Sequence, residues 1–128
     1  MISPPALILF AHGARDPEWA KPLQRVQAAI LARQTAACVE LAFLEFMTPT
    51  LAECVSTLAG RGVAKIVVVP MFIAQGGHLK RDLPELLNAL RLRYPQLELQ
   101  LAAAIGEDAG VIEAMALAAL AVLSSPAA

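Results

Sequence analysis

Two short apolar runs constrain the fold of this chain most strongly. Ala6 to Ala11 and Ile66 to Pro70 contain no polar side chain. A strand that is apolar on both sides is typical of a parallel sheet, because helices cover both faces of such a sheet. With Lys65 as its first residue, the second run gives the strand Lys65 to Pro70. The runs therefore predict two central strands of a layered α/β domain.

Two further strands are predicted at the edges of the sheet. Cys38 to Leu44 and Leu97 to Ala102 alternate apolar and polar residues, as expected for strands with one solvated side. Asp16-Pro17 and Thr48-Pro49 are helix-start signals that lie between strands. The resulting order is βαβαβαβα with short connections, an open parallel four-stranded sheet with helices on both faces. Right-handed crossovers favour the strand order 2-1-3-4.

Each helix is expected to bury a line of apolar residues spaced three and four apart. The lines are Trp19, Leu23, Val26 and Ile30 in the first helix; Leu51, Val55 and Leu58 in the second; Leu83, Leu86, Leu87 and Leu90 in the third; and Val111, Ile112, Met115, Ala119 and Val122 in the last. Asp82 and Glu85 form a capping-box pattern with Pro84 in the first turn, which predicts the start of the third helix. Asp108 marks the start of the last helix.

Length and charge narrow the classes of function. A chain of 128 residues fits one domain, residues 1–128. The net charge is −1 and no basic run occurs, so nothing indicates a nucleic-acid partner. The apolar tract Val111 to Leu123 contains Glu113 and is too short for a membrane span. The segment Ile2 to Pro5 has no basic residue, so we expect no signal peptide and a cytoplasmic protein.

Hydrophobic residues make up 58% of the chain, which exceeds the usual share. That content is ample for one core and leaves apolar surface that could be buried against a partner. Cys38 and Cys54 lie in apolar periodic segments, where they behave as small hydrophobic residues. They do not form a CxxC pair, which argues against a structural zinc site.

The two histidines of the chain follow the two central strands. His12 comes directly after the first, and His78 follows the third after the loop Gln75-Gly76-Gly77. In the order 2-1-3-4 these strands are neighbours at the switch point of the sheet, where ligands bind in open α/β folds. Imidazole is a common metal ligand and titrates near neutral pH. The placement predicts a metal or proton-transfer site, and the alternative is two structural or solvent-exposed histidines.

One acidic residue could join this site. Glu45 ends the second strand within Phe43-Leu44-Glu45-Phe46. It could be a third metal ligand or a general base with a raised pKa, or an edge carboxylate that points into water.

The loops around the histidines supply candidate substrate contacts. Arg15, Lys80 and Arg81 lie near them in sequence and could pair with carboxylates of an acidic ligand, or could be ordinary solvated charges. Gly76 and Gly77 permit a close approach to the backbone. Neither glycine motif forms a P-loop or a GxGxxG fingerprint, so nucleotide binding has no support.

Five motifs in a fixed order resemble those of a known family. They are His12-Gly13-Ala14-Arg15-Asp16, Phe43-Leu44-Glu45, Val69-Pro70-Met71-Phe72-Ile73-Ala74 with Gly77-His78, Asp82-Leu83-Pro84, and Ile105-Gly106-Glu107-Asp108. The pattern resembles the class II tetrapyrrole chelatases, specifically the small single-domain sirohydrochlorin cobaltochelatases of cobalamin biosynthesis. It covers nearly the whole chain, from residue 6 to about residue 120.

The resemblance implies a chelatase, a lyase that inserts a divalent metal into sirohydrochlorin. His12, His78 and Glu45 would hold the metal and take up pyrrole protons. Arg15, Gly76, Gly77, Lys80 and Arg81 are carried over as possible substrate contacts. The metal would be Co²⁺, with Ni²⁺ or Fe²⁺ as relatives of similar ligand preference, and no organic cofactor is implied. Longer family members contain two halves across a cleft, so the resemblance implies a homodimer here.

Two other functions compete with chelation. A cobalt or nickel carrier, or a tetrapyrrole-binding module, could use the same imidazoles without turnover. A histidine phosphatase also places His-Gly after its first strand, but it requires an Arg immediately before the His to hold phosphate. Position 11 is Ala, and nothing replaces that bidentate clamp.

Overall fold

The computed structural model describes residues 4–124, which form a four-stranded parallel sheet with helices between the strands. The strands are β1 (Ala6–Ala11), β2 (Cys38–Phe43), β3 (Lys65–Pro70) and β4 (Glu98–Leu101). Their order is β2-β1-β3-β4 and every neighbouring pair is parallel, which confirms the predicted topology. Residues 1–3 and residues 125–128 lie outside the described part. Part of the segment Ile2 to Pro5, from which we expect no signal peptide, therefore falls outside it.

The α-helices are α1 (Lys21–Arg33), α2 (Leu51–Gly60), α3 (Gly77–Arg93) and α4 (Ala109–Ala121). Short 3₁₀ turns precede α1 at Pro17–Ala20, precede α4 at Ile105–Glu107 and follow α4 at Val122–Ser124. Within residues 4–124, no helix combines the length and the hydropathy needed to cross a bilayer.

The sheet separates two apolar cores, because successive side chains of a strand point to opposite faces. The larger core joins strand residues to helices α2 and α3, and its central members are Ile8, Phe10, Val55, Ile66, Val68 and Leu87. The smaller core lies on the α1 side and contains Leu9, Ala11, Ala20, Leu23, Val39 and Phe43. The two central strands contribute to both cores, which explains their continuous apolar sequence.

Two predicted helix starts are wrong. α2 begins after Thr50 rather than Thr48: the Thr50 hydroxyl accepts the Glu53 N–H, and the Glu53 carboxylate accepts the Thr50 N–H at 2.8 Å. This reciprocal pair satisfies backbone donors that the helix itself leaves free. α3 begins at Gly77, not at Asp82, with Gly76 extended at the cap position (φ −69°, ψ 163°). Pro84 therefore lies inside α3 instead of in its first turn.

The predicted buried faces of the first and last helices are also partly wrong. Leu23 is the buried residue of α1, whereas Trp19 and Val26 remain 43% and 38% exposed. No residue of α4 is buried. Among the helices, strands and turns of residues 4–124, α4 makes more than marginal contact only with the 3₁₀ turns at its two ends. Apolar periodicity identifies the helix face that favours burial, but it does not show whether other residues of the same chain bury that face.

Candidate metal and substrate site

The carboxyl edge of the sheet brings three predicted site residues to one cavity. His12 directly follows β1, Glu45 lies in the loop after β2, and His78 lies in the first turn of α3 after β3. All three line a cavity of about 480 Å³. Its other lining residues are Leu44, Gly76, Gly77, Leu79 and Asp82.

His12 and Glu45 form the contact at the centre of this site. The Nδ1 atom of His12 lies 3.4 Å from Oε1 of Glu45, and the two side chains are 48% and 42% exposed. The His12 ring also packs against the Phe72 ring, with centroids 4.7 Å apart and an interplanar angle of 45°. A carboxylate beside one ring nitrogen favours the tautomer with a proton on that nitrogen, which leaves the other nitrogen able to bind a metal.

Backbone hydrogen bonds hold the loops after β1 and β2 together at this pair. The carbonyl of His12 accepts the N–H groups of Leu44 and Glu45, at 2.9 and 2.8 Å. Gly13 has φ +103°, and a Cβ at this position would collide with the carbonyl oxygen of Glu45. Only glycine adopts this conformation at low cost and leaves the space empty. Gly13 therefore sets how close the Glu45 backbone comes to β1.

The five candidate substrate-contact residues do not all lie at the cavity that contains the histidines. Gly76 and Gly77 line the cavity that contains the histidines. Arg15 lies outside it: its guanidinium is 5.0 Å from the centroid of the exposed Phe46 ring, and it lines a separate cavity of about 580 Å³ beside α1. Lys80 and Arg81 are exposed on α3 and line neither cavity.

Phe46 marks a strained point of the same loop. It has φ +65°, an uncommon conformation for a bulky side chain, and it is 63% exposed. The next residue, Met47, donates its N–H to the Glu45 carbonyl at 2.8 Å. This tight turn places an exposed aromatic ring immediately after the site carboxylate.

Asp82 is a cavity residue that sequence reasoning explained only as a helix cap. It follows His78 by one helical turn on α3, so the two residues share a helix face. Both line the same cavity. The spacing of four residues from His78 was the available signal, and the incorrect helix start concealed it.

The acidic side chains and the imidazoles of residues 4–124 do not form a complete metal-coordination shell. Across residues 4–124, no group of three or more His, Cys, Asp or Glu side chains is placed to hold a metal ion. The His12–Glu45 pair is thus the part of the site already in contact. Cys54 does not add a thiolate, because burial raises its pKa to about 12, and burial also raises the pKa of Cys38.

The fold and the site define this chain as an open α/β domain with ionisable side chains at the switch point of its sheet. Proteins of this class bind ligands or catalyse reactions at that point. The CbiX family model matches residues 6–119. The chain belongs to the CbiX family, which confirms the resemblance found in its motifs.

Individual relatives agree with this assignment. A sirohydrochlorin cobaltochelatase from Saccharolobus solfataricus is 37% identical over 115 residues, covering 85% of this chain and 88% of that protein. A solved cobalamin (vitamin B12) biosynthesis CbiX protein from Marinobacter aquaeolei VT8 has a TM-score of 0.83 and 28% identity, covering 94% of this chain and 98% of that one.

A longer relative shows the same fold in part of its chain. The sirohydrochlorin chelatase SirB from Bacillus subtilis subspecies spizizenii, solved in complex with cobalt, has a TM-score of 0.76 and 25% identity. The match covers 92% of this chain but 50% of SirB. This chain therefore corresponds to about half of that protein.

Proposed function

We propose that this protein inserts Co²⁺, or a related divalent ion such as Ni²⁺ or Fe²⁺, into sirohydrochlorin. The observation that carries the proposal is the His12–Glu45 pair, which shares one cavity with His78 at the switch point of the sheet. Membership of the CbiX family and the 37% identity to a sirohydrochlorin cobaltochelatase support the choice of reaction.

The reaction exchanges two protons for one metal ion. The two inner N–H groups of the macrocycle lose their protons as the metal forms bonds to the ring nitrogens. His12 and Glu45 are the groups that take up these protons, since an imidazole or a carboxylate can act as a base near neutral pH. Both side chains are about half exposed in the single chain, so the substrate can reach them.

A chelatase has to bind its metal substrate and then release it to the macrocycle. Imidazole and carboxylate ligands accept Co²⁺, Ni²⁺ and Fe²⁺, whereas a thiolate-rich site would retain softer ions more tightly. The described residues supply ligands of this kind, a His–carboxylate pair and a second histidine on the same cavity.

We also propose that the working unit is a homodimer with the active site at its interface. A flat macrocycle needs walls on both of its faces, and this chain matches half of the longer SirB chelatase. A twofold axis would place two copies of His12, Glu45 and His78 around one shared pocket. The substrate is thus enclosed between two identical subunits, and we expect them to act in the cytoplasm.

The alternative function, a cobalt, nickel or tetrapyrrole carrier, uses the same side chains and is separated from catalysis by turnover. Sirohydrochlorin and Co²⁺ in large excess over the protein are mixed, and the absorbance change of the free macrocycle is followed against a reaction without protein. Many equivalents converted per chain support the chelatase. Binding that saturates at one equivalent, with the rate of the blank thereafter, would make the protein a carrier.

A further inference from the structure

The exposed ring of Phe46 is carried by a backbone conformation that is unfavourable for a bulky residue. Its φ is +65°, and the residue is 63% exposed. Such a conformation costs free energy at any residue other than glycine, and it persists mainly where it serves a ligand site. A ring that stays mostly in water recovers little of that cost through burial. The stability of the single domain therefore does not explain why a phenylalanine stands at this position.

The loops after β1 and β2 separate the cavity that contains the histidines from a second cavity beside α1. His12 and Glu45 line the first cavity. The second, which we call the Arg15 cavity, has a volume of about 580 Å³, and its lining includes Arg15, Gln24, Gln27, Phe43, Phe46 and Met47. Arg15 follows His12 by three residues and Phe46 follows Glu45 by one. Three residues of chain span at most about 11 Å, so the two cavities are neighbours.

Arg15 gives the Arg15 cavity a positive charge that forms no ion pair within residues 4–124. Its guanidinium lies over the Phe46 ring, 5.0 Å from the centroid. Glu40 also lines this cavity, but its carboxylate pairs with Arg61 at 3.3 Å. A cation–π contact at an exposed site is weak and leaves the N–H donors of the guanidinium for other partners. These donors match the two oxygens of a carboxylate.

We propose that the Arg15 cavity holds one acidic side arm of the tetrapyrrole, with Arg15 bound to the carboxylate of the arm and the Phe46 ring packed against the macrocycle. The proposal rests on the proposed function and adds two residues to its substrate-binding site. Sirohydrochlorin carries acetate and propionate arms at the periphery of its ring. A macrocycle whose inner nitrogens face His12 and Glu45 therefore extends its arms beyond the cavity that contains the histidines. The aromatic ring offers an apolar surface to the macrocycle, and the guanidinium offers a charge to the arm.

Backbone hydrogen bonds fix the position of Phe46 relative to the proposed metal-binding pair. The His12 carbonyl accepts the Glu45 N–H at 2.8 Å, and the Glu45 carbonyl accepts the Met47 N–H at 2.8 Å. The backbone on both sides of Phe46 is thus tied to the loop after β1. A macrocycle held at its periphery by Phe46 and Arg15 lies at a defined distance from His12 and Glu45, which favours the productive orientation. We expect the two residues to govern substrate affinity more than the rate of the chemical step.

Arg15→Gln removes the positive charge, and Arg93→Gln is a matched control. The Arg93 guanidinium also lies over an aromatic ring, that of Tyr94 at 5.7 Å, but Arg93 lines neither cavity. We expect Arg15→Gln to raise the dissociation constant of metal-free sirohydrochlorin by about tenfold or more, because charge-assisted hydrogen bonds are lost. Fluorescence quenching measures this constant. KM should rise with it and kcat should change less. An Arg15→Gln variant that binds as tightly as Arg93→Gln would overturn the proposal.

Phe46→Gly separates a role in binding from a role in folding, because glycine adopts φ +65° at low cost but has no ring. We expect this variant to remain about as stable as the native chain in urea denaturation. Its dissociation constant for sirohydrochlorin should rise by about fivefold or more, since an aromatic contact is lost. Phe46→Tyr keeps the ring and should keep the affinity. A loss of stability in Phe46→Gly together with unchanged affinity would make the ring a structural element and would overturn the proposal.

Two further measurements separate this inference from the homodimer and from chelation. Sedimentation equilibrium should give the same dimer dissociation constant for the native chain, Arg15→Gln and Phe46→Gly. A weakened dimer whose affinity for sirohydrochlorin returns at high protein concentration would mean that Phe46 contacts the second copy, and would overturn the assignment. Binding is measured without metal, so a protein that binds sirohydrochlorin through Arg15 but shows no turnover would count against the proposed function alone.

Discussion

The Nδ1 atom of His12 lies 3.4 Å from Oε1 of Glu45, although 33 positions (45 − 12) separate the two residues in sequence. The parallel pairing of β1 with β2 brings their loops together, and the His12 carbonyl accepts two N–H groups from the β2 loop. This contact places a carboxylate beside one ring nitrogen of the histidine. The predictions on catalysis depend on it.

Alanine at His12 or at His78 is expected to lower the rate of metal insertion by about 10²-fold or more, because each change removes a metal ligand or proton acceptor. Both residues are exposed, so the melting temperature should change little. The absorbance of free sirohydrochlorin measures the rate, and Gln34→Ala in the exposed loop before β2 serves as a control. Full turnover in both single variants would show that the site is elsewhere.

Glu45→Gln retains the size of the side chain but removes its basicity. We expect the metalation rate to fall by about 10²-fold, because a general base is lost. Sirohydrochlorin affinity, measured by fluorescence quenching, should change less, since the carboxylates and ring faces of the substrate provide most of its binding. An unchanged rate would return Glu45 to the role of a solvated carboxylate at the edge of the sheet.

Gly13→Ala should impair both stability and activity. The added Cβ meets the Glu45 carbonyl and the backbone has φ +103°, so we expect a loss of about 2 kcal/mol or more in the free energy of unfolding. Gly60→Ala is the control, because nothing lies within 4 Å of a Cβ at the end of α2. Urea denaturation of both variants provides the measurement. Equal stability of the two variants would contradict the close contact.

The capping box of α2 predicts a pH dependence. The backbone N–H of Thr50, and then its side chain, lower the pKa of Glu53. The stability that this charge contributes is therefore present above the ordinary pKa of Glu and is lost as the pH falls through the lowered value. The difference in melting temperature between the native chain and Glu53→Gln should shrink on acidification. A difference that grows in acid would contradict this sign.

Thr50→Ala removes the other half of the box and should cost about 1 kcal/mol of stability. Thr57→Ala is a control within the same helix, where the hydroxyl donates to the Glu53 carbonyl rather than capping a helix end. Urea denaturation at neutral pH compares the two. A larger loss for Thr57→Ala than for Thr50→Ala would contradict the assigned helix start.

If the active site is shared between subunits, activity per chain should fall on dilution below the dimer dissociation constant. Sedimentation equilibrium at assay concentrations gives the population of dimer, and initial rates over the same range give the activity. The two curves should coincide. A fully active monomer would exclude the shared site while leaving the histidine chemistry intact.

The sequence was sufficient for the sheet and for the placement of the histidines. Short continuous apolar runs are typical of strands covered on both faces, so β1 and β3 were recognised as central and adjacent. Because parallel strands end at one edge, the positions of His12 and His78 followed from the strand order. These features depend on the local pattern of apolar residues and on the right-handedness of crossover connections between parallel strands. Both can be inferred from the sequence alone.

Helix starts were less predictable, since several residues in a loop can cap a helix. Thr48 and Thr50 both precede the apolar line of α2, and the hydrogen bonds with Glu53 select Thr50. Asp82 resembles a cap in sequence, yet α3 already begins at Gly77 and Asp82 lines the cavity instead. The choice depends on which backbone groups the rest of the fold leaves free.

The sequence by itself determined the order of elements, the central strands and the edge at which the histidines lie. Tertiary structure decided that Glu45 meets His12, because that contact requires the glycine-dependent approach of two loops distant in sequence. It also decided that, within residues 4–124, no residue of α4 is buried. Apolar periodicity shows which face of a helix gains free energy when it is buried. Which residues bury that face depends on the path of the chain in three dimensions.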